Sequence, residues 1–208
     1  MPILVDVEQQ TPVWVKSRVG SVTGSRVPDI MIGTKKQVVS RENYLDEIVF
    51  ERRTCTAYEH EQRKAMAWGL EIQTSAGAAY ELDQRVFLQP GGYWRHDTIE
   101  WFGASPDYLV GDDGLIEIKC PFNPSHHKKY LDGAEVPEKY QWQMDAQMCV
   151  TGRQWCDFVS FDPRWPSNNQ LFVKRFDRNQ SRIQAVECEV RQFLKEVEEE
   201  VERLKSRK

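Results

Sequence analysis

The sequence predicts an α/β fold, because strand patterns and longer helical patterns alternate along the chain. Two apolar-rich runs, residues 104–110 and 115–120, flank a Gly-Asp-Asp-Gly turn and predict a β-hairpin. Two further strand patterns lie at residues 155–161 and 171–176. Four runs carry apolar side chains at helical spacing: residues 41–53, 58–82, 137–150 and 179–205.

The 208 residues are enough for one domain with a substantial core. We expect a single domain over residues 1–208, in which residues 179–208 form a C-terminal helix. No apolar run reaches the length of a membrane span, and the first residues lack a basic-then-apolar signal pattern. The protein is therefore expected to be cytoplasmic, with no membrane partner.

Composition constrains the chemistry of the partner only weakly. The net charge is −4, which taken alone argues against nucleic acid, because duplex binding depends on phosphate neutralisation. Seven glutamates are crowded between residues 187 and 202, however, so the rest of the chain is nearly balanced and any basic surface must be local. The five cysteines include no C-x-x-C pair, which predicts reduced, mostly buried thiols and neither a zinc site nor disulfides.

The N-terminal part of the chain offers one candidate binding segment. Residues 7–17 predict a short helix, and the glycine-punctuated segment 18–25, RVGSVTGS, follows it. Its loose backbone N–H groups, its hydroxyls and Arg18 can form a phosphate pocket. The same segment can equally be a plain turn in which Thr23 or Ser25 caps the next helix.

The hairpin carries the candidate chemistry. Side chains alternate along a strand, so Glu117 and Lys119 share one face while Ile116 and Ile118 share the other. Folding at the turn brings Asp107 beside Glu117. Two converging carboxylates make an oxygen site suited to Mg²⁺, and a neighbouring lysine can hold a water nucleophile or offset charge on a phosphate. A lone E-x-K on a strand is more often a solvated face.

The wider pattern resembles a known family. Pro106-Asp107, nine further residues and then Glu117-Ile118-Lys119 is similar to the PD-(D/E)XK nuclease signature, and SPD…GLIEIKCP resembles the phage lambda-type (YqaJ-like) alkaline exonucleases of that superfamily. The resemblance spans about residues 14–176. It implies a restriction-endonuclease-like core, a mixed central sheet flanked by helices. Asp107, Glu117 and the carbonyl of Ile118 would bind metal, and Lys119 would orient the attacking water.

The resemblance implies roles for further residues. The R-x-G-x-[IV]-T-[AG]-S string of the family matches residues 18–25, so Arg18 and Ser25 would hold a 5′-phosphate. The Y-x-x-Q-x-x-x-Q-M helix of the family places Gln143 beside the active site. Residues 123–130, NPSHHKKY, predict a capped short helix with a phosphate-facing basic patch. Its adjacent histidines point to different faces, so a histidine metal site is not expected there.

The residues at two further positions, Gln73 and Asp97, allow more than one interpretation. The family pattern W-G-x-x-x-E, which begins here at Trp68, supplies a further acid to the metals, but this chain has Gln73 at that position. A glutamine carbonyl can bind magnesium or orient a metal-bound water, yet it adds no negative charge. Asp97 lies where related exonucleases place another acid, and it can equally be a turn residue.

The expected function follows from the resemblance. It is a Mg²⁺-dependent 5′-to-3′ exonuclease, with Mn²⁺ as a substitute, that acts on double-stranded DNA ends in a bacterial or phage-infected cell. The 3′ overhangs that it leaves would serve recombination by single-strand annealing. A homotrimer ring and a single-strand annealing protein are the implied partners. The alternatives are a restriction-like or structure-specific DNA endonuclease, and a catalytically weak DNA-end-binding protein.

Overall fold

A computed structural model describes residues 2–31, 35–59 and 64–207, apart from the side chains of residues 35–37. In that part of the chain the strands are β1 (Ile3–Val5), β2 (Val22–Thr23), β3 (Leu88–Pro90), β4 (Tyr93–Arg95), β5 (Phe102–Ala104), β6 (Tyr108–Val110), β7 (Gly114–Lys119), β8 (Trp155–Phe161) and β9 (Leu171–Asp177). The α-helices are α1 (Pro12–Arg18), α2 (Val27–Ile30), α3 (Lys35–Thr54), α4 (Lys64–Gln84), α5 (Pro124–Leu131), α6 (Glu138–Thr151) and α7 (Gln180–Lys205).

The described strands form two sheets. The smaller has the order β1-β4-β5-β2, and the larger has the order β3-β6-β7-β8-β9. Within the larger sheet β7 runs parallel to β8, while the other neighbouring strands are antiparallel. A mixed sheet with helices packed on it is the architecture that the sequence predicts.

The first hairpin strand differs from the prediction. The run 104–110 is not one strand, because the chain leaves the smaller sheet at Ala104 and enters the larger one at Tyr108. Pro106, in the gap, has no N–H to donate to a ladder. The side-chain amide of Gln9 donates to the carbonyl of Pro106 at 2.8 Å and holds this gap against the N-terminal segment.

The larger sheet has helix α4 on one face and helix α6 on the other. Ile116 and Ile118 of β7 belong to the apolar cluster that includes Tyr80 of α4. Leu115 belongs to the main core, which α6 and α7 cover. The side chains of β7 therefore alternate as its sequence predicts, and Glu117 shares the α6 face.

Most predicted helices are present with shifted ends. Helix α3 begins at residue 35 instead of 41, whereas α6 and α7 lie within one residue of the predicted bounds. The predicted run 58–82 includes residues 60–63, which lie outside the described residues. No described helix is both long and apolar enough to cross a bilayer. The prediction of mostly buried thiols is wrong for Cys55 and Cys188, which are exposed.

Candidate active site

The β6–β7 hairpin brings the two predicted acids together. Tyr108 pairs with Ile116, so Asp107 lies one residue beyond the end of the ladder, level with Glu117. The Oδ2 atom of Asp107 accepts the backbone N–H of Ile118 at 2.6 Å. That hydrogen bond fixes the Asp107 carboxylate against strand β7.

Lys119 and Glu117 lie on the same face of β7, where helix α6 meets them. Lys119 Nζ donates to Glu117 Oε1 at 2.5 Å and to Gln143 Oε1 at 3.2 Å. Gln143 Nε2 donates to the same Glu117 oxygen at 2.7 Å. These three side chains therefore form a closed ring of hydrogen bonds in which Glu117 is only 3% exposed.

Gln147, one helical turn after Gln143, has no role in the sequence-based prediction but contacts Glu117 in the structure. Its Nε2 donates to Glu117 Oε2 at 2.5 Å, and its Oε1 faces the Cys156 sulfur at 3.8 Å. The thiol donates to Oε1 and so fixes which way round the amide sits. The sequence signal for Gln147 is its i, i+4 spacing from Gln143, which places both glutamines on one face of the helix.

Helix α4 brings Gln73 to the same cluster from the opposite face of the sheet. Its Nε2 donates to Asp107 Oδ1 at 2.7 Å. Both oxygens of Asp107 are thus engaged, one by Gln73 and one by the Ile118 backbone. The side chain at position 73 contacts a candidate metal-binding carboxylate, as the family pattern implies.

The charges of the cluster do not balance. Burial raises the pKa of Asp107 to about 8, and the neighbouring Glu117 carboxylate adds to this rise. Burial works against the charged form of Lys119, but Glu117 and Asp107 outweigh it and raise the pKa of the ammonium. Two carboxylates thus share one ammonium, and at neutral pH Asp107 keeps a proton that a cation would replace.

The donor set fits a hard divalent cation. The candidate ligands are oxygens from Asp107, Glu117, the Ile118 carbonyl and the Gln73 amide, and Mg²⁺ prefers such oxygens. In the described chain Glu117 Oε1 accepts two hydrogen bonds, whereas Oε2 accepts one, from Gln147. A carboxylate oxygen has two lone pairs, so Oε2 retains one for a metal.

A second candidate site surrounds Arg18. A cavity of about 860 Å³ is lined in part by Trp14, Arg18, Thr23 and Ser25. The Arg18 guanidinium lies 3.8 Å from the Trp14 ring centroid, and its Nε has no hydrogen-bond partner in the described chain. Burial lowers the pKa of Arg18, although an arginine stays charged at physiological pH. A partly buried cation with an unused donor, in a cavity that hydroxyl groups also line, is suited to bind an anion.

The capping alternative for this segment does not fit its hydrogen bonds. Thr23 precedes a 3₁₀ turn without a side-chain cap bond, and its hydroxyl lies 3.5 Å from that of Ser25.

Trp14 connects the Arg18 cavity to the hairpin, because its indole N–H donates to Ser105 Oγ at 3.1 Å. Ser105 precedes Asp107 by two residues, so the two candidate sites are neighbours.

The other residues that the sequence suggests for a site do not join the cluster of Asp107, Glu117 and Lys119. Asp97 lies 3.5 Å from the His96 ring and lines a different cavity of about 400 Å³, so the prediction of a further active-site acid there gains no support. The predicted phosphate-facing basic patch of residues 123–130 does not include His127, which is fully buried against Ser160. Lys128 of the same patch pairs with Asp132.

The structure also contains a polar cluster that no sequence motif predicts. His96, Cys149 and Glu187 bring their ligand atoms within 4.8 Å of one another, from three separate elements. The His96 Nδ1 accepts the backbone N–H groups of Thr98 and Ile99 at 3.2 and 3.0 Å. The neutral ring therefore carries its proton on Nε2, which faces Glu187 at 3.4 Å. A protonated ring nitrogen cannot bind metal, so we interpret this cluster as a hydrogen-bonded one.

Comparisons with known proteins identify the family of this chain. A family model described as the YqaJ-like viral recombinase domain matches residues 13–154. None of the curated proteins matches the chain.

Solved structures match nearly the whole chain. An alkaline exonuclease, LHK-Exo, from Laribacter hongkongensis is 44% identical, with a TM-score of 0.85 over 94% of this chain and 96% of that chain. LHK-Exo in complex with dAMP gives a TM-score of 0.86 at the same identity and coverage. A phage-related exonuclease from Haemophilus somnus 129PT is 15% identical, with a TM-score of 0.70 over 88% of this chain and 96% of that chain, and shows the fold alone. These matches confirm the predicted fold class.

Proposed function

This chain belongs to the YqaJ-like viral recombinase domain family, and from that premise we propose that it is a magnesium-dependent exonuclease of linear double-stranded DNA. It degrades one strand from the 5′ end and leaves a 3′ overhang for recombination by strand annealing. The 44% identical alkaline exonuclease supports the reaction class. The observation that carries the proposal is the cluster of Asp107, Glu117 and Lys119, in which two carboxylates share one ammonium.

The metal-binding residues are Asp107, Glu117 and the carbonyl of Ile118. Gln73 completes the set, either as a neutral ligand or by orienting a bound water. Mn²⁺, which accepts similar oxygen ligands, substitutes for Mg²⁺. When bound, the ion activates a water and neutralises charge on the phosphate that is attacked.

Lys119 acts as a donor and a positive charge. Its raised pKa keeps it protonated at neutral pH, so it does not serve as the base. It holds the oxygen of the attacking water or of the scissile phosphate and stabilises charge that develops there. Gln143 contacts both Lys119 and Glu117 and keeps the ammonium at a fixed distance from the carboxylate.

Arg18 and Ser25 hold the 5′-terminal phosphate. The guanidinium has an unused donor, Ser25 lines the same cavity, and Trp14 connects this cavity to the hairpin. A terminal phosphate bound there would place the first nucleotide between Arg18 and the metal, which accounts for an exonuclease. We further propose a homotrimer ring and an annealing-protein partner. In a ring, a few cations from each subunit converge on one channel, so an acidic chain can still hold DNA.

The test uses three substrates with magnesium: linear duplexes with a 5′-phosphate or a 5′-hydroxyl, and a covalently closed circle. One charge-assisted phosphate contact contributes about 1.5–3 kcal/mol, or about 10- to 150-fold. We expect the wild type to prefer the phosphorylated end by a factor in that range and to leave the circle intact. Arg18→Ala should remove most of the preference by slowing the phosphorylated substrate.

Lys16→Ala is the matched control, since Lys16 is an exposed cation on the same helix. Equal slowing of both ends by Arg18→Ala would place the phosphate contact elsewhere. Cutting of the circle would favour the endonuclease alternative. Tight end binding without hydrolysis would favour the DNA-end-binding protein.

A further inference from the structure

A cavity of about 520 Å³ opens beside Lys119, and neither the metal site nor the Arg18 cavity accounts for it. Tyr140 and residues of helix α5, among them Tyr130, line it. Binding sites for small molecules typically enclose about 300–1,000 Å³, so the cavity can take one nucleotide. The residues that matter for its chemistry are Lys119, Phe122, His126, Lys129, Lys139 and Tyr140.

Four basic side chains line this cavity, and in the described chain only Lys119, which pairs with Glu117, has an acidic partner. In the described part of the chain, no carboxylate lies within ion-pair distance of Lys129, Lys139 or His126. The acid on the rim, Glu135, is paired with Lys174 at 2.5 Å. The neighbouring Lys128 is paired with Asp132 and does not line the cavity. The cavity therefore has a local positive charge, although the chain is acidic overall.

The aromatic residues of the cavity are placed for a base or a sugar. Lys119 Nζ and Lys139 Nζ lie 4.9 and 4.7 Å from the centroid of the Tyr140 ring, which also stacks on Phe158 of the core at 5.7 Å between centroids. Phe122 is half exposed at the rim, and its ring packs edge-on against Trp68. An exposed aromatic side chain in a basic cavity, here Phe122, is typical of surfaces that bind single-stranded nucleic acid.

We propose that this cavity is a nucleotide subsite, in which Lys129 and Lys139 bind a phosphate and Phe122 contacts the base. The inference rests on the proposed nuclease function, because Lys119 belongs to both the subsite and the cluster around Glu117. The occupant is a deoxynucleotide phosphate. It is either part of a DNA strand that passes the catalytic lysine or the mononucleotide released by cleavage.

The DNA arm measures equilibrium binding of a 5′-phosphorylated duplex with a single-stranded tail. Calcium replaces magnesium, and salt is varied from 50 to 200 mM. Each phosphate contact adds about 0.9 to the slope of log affinity against log salt. Lys129→Ala and Lys139→Ala should each lower that slope by about 0.7–0.9, and lower affinity about tenfold at 50 mM salt but only about threefold at 200 mM. Lys128→Ala, one residue away and already paired, should match the wild type.

The product arm measures inhibition of wild-type cleavage by dAMP. If the mononucleotide is the occupant, Lys129→Ala and Lys139→Ala should raise the dAMP inhibition constant about tenfold while the salt slope for DNA stays unchanged. Either pattern supports the subsite and identifies its occupant.

The inference is overturned if both lysine variants match Lys128→Ala in both arms while the wild type still cleaves DNA. In that case the proposed function stands and the subsite alone fails. If the wild type neither cleaves nor binds DNA ends, the proposed function fails and the subsite fails with it.

Discussion

Glu117 and Asp157 are two buried carboxylates on neighbouring parallel strands, and they face opposite sides of the same sheet. Glu117 pairs in register with Phe158, and Asp157 with Ile116. Their exposures are nearly equal, 3% and 1%. Each accepts three hydrogen bonds from side chains, so neither burial nor hydrogen-bond satisfaction distinguishes them.

Charge balance does distinguish them. Asp157 has its own guanidinium, because Arg175 donates to both of its oxygens at 2.8 and 2.9 Å, and Tyr80 adds a neutral donor. Glu117 shares its single cation, Lys119, with Asp107, whose pKa is raised by burial and by the Glu117 carboxylate. The α4 face thus carries a complete ion pair that stabilises the fold. The α6 face carries two carboxylates and one ammonium, and this charge deficit, a shortage of one positive charge, is one that a metal can fill.

The largest expected effect is on cleavage by the charge-deficient cluster. Glu117→Ala or Asp107→Ala removes a proposed metal ligand, so the cleavage rate at saturating DNA should fall by about 10³-fold or more. The free energy of unfolding of the metal-free protein should fall by no more than about 2 kcal/mol, because each variant removes one of the two acids that share Lys119 and leaves the other as its partner. Near-normal cleavage by either purified variant would refute the catalytic assignment.

The matched variant on the other face is Asp157→Ala. It leaves the Tyr80 hydroxyl and the Arg175 guanidinium without their partner, and Arg175 is half exposed, so water offsets part of the loss. The free energy of unfolding should fall by about 2–4 kcal/mol in urea denaturation. Cleavage per folded molecule should stay within about twofold of the wild type. A large loss of cleavage without a loss of stability would remove the distinction between the two faces.

The parts that the sequence predicts correctly are local. The alternation along β7 and the turn before it were sufficient to place Glu117, Lys119 and Asp107 relative to one another, since a hairpin register follows from short-range pattern. The break at Pro106 was missed because apolar content continues on both sides of it, although the sheet membership changes.

The parts that the sequence does not predict depend on long-range packing. Lys128 pairs with Asp132, one helical turn further along, whereas Lys129 lines the cavity. The basic run by itself does not distinguish the two lysines. The cluster of His96, Cys149 and Glu187 joins residues that no periodicity links. A pattern of residue types therefore locates the candidate catalytic hairpin, but it does not show which neighbouring charges are already neutralised.

A smaller effect concerns pH and sharpens the charge comparison. Without metal, Asp107 keeps its proton up to about pH 8 in the folded protein, whereas an unfolded aspartate ionises near pH 4. The folded state therefore binds the extra proton in this window, and stability is lost as pH rises towards 8.

Asp107→Asn cannot ionise, so in the presence of chelator its unfolding free energy should exceed that of the wild type by a margin that grows with pH. The margin should reach about 2–4 kcal/mol at pH 8. Urea denaturation at several pH values measures it. A constant difference from pH 5 to pH 8 would mean that Asp107 is already ionised in the folded state. Adding magnesium should stabilise the wild type more than the variant.

The smallest effect concerns Gln73, the neutral member of the cluster. Its amide donates to Asp107 at 2.7 Å, so Gln73→Glu would replace a donor with a third carboxylate and deepen the charge deficit. One more anionic oxygen near the metal should lower the half-saturating magnesium concentration about three- to tenfold, which metal titration of cleavage measures. Glu71→Gln is the matched control, because Glu71 is exposed on the same helix and should leave the titration unchanged. If Gln73→Glu also leaves it unchanged, position 73 orients Asp107 without approaching the metal, and the charge deficit belongs to Asp107 and Glu117 alone.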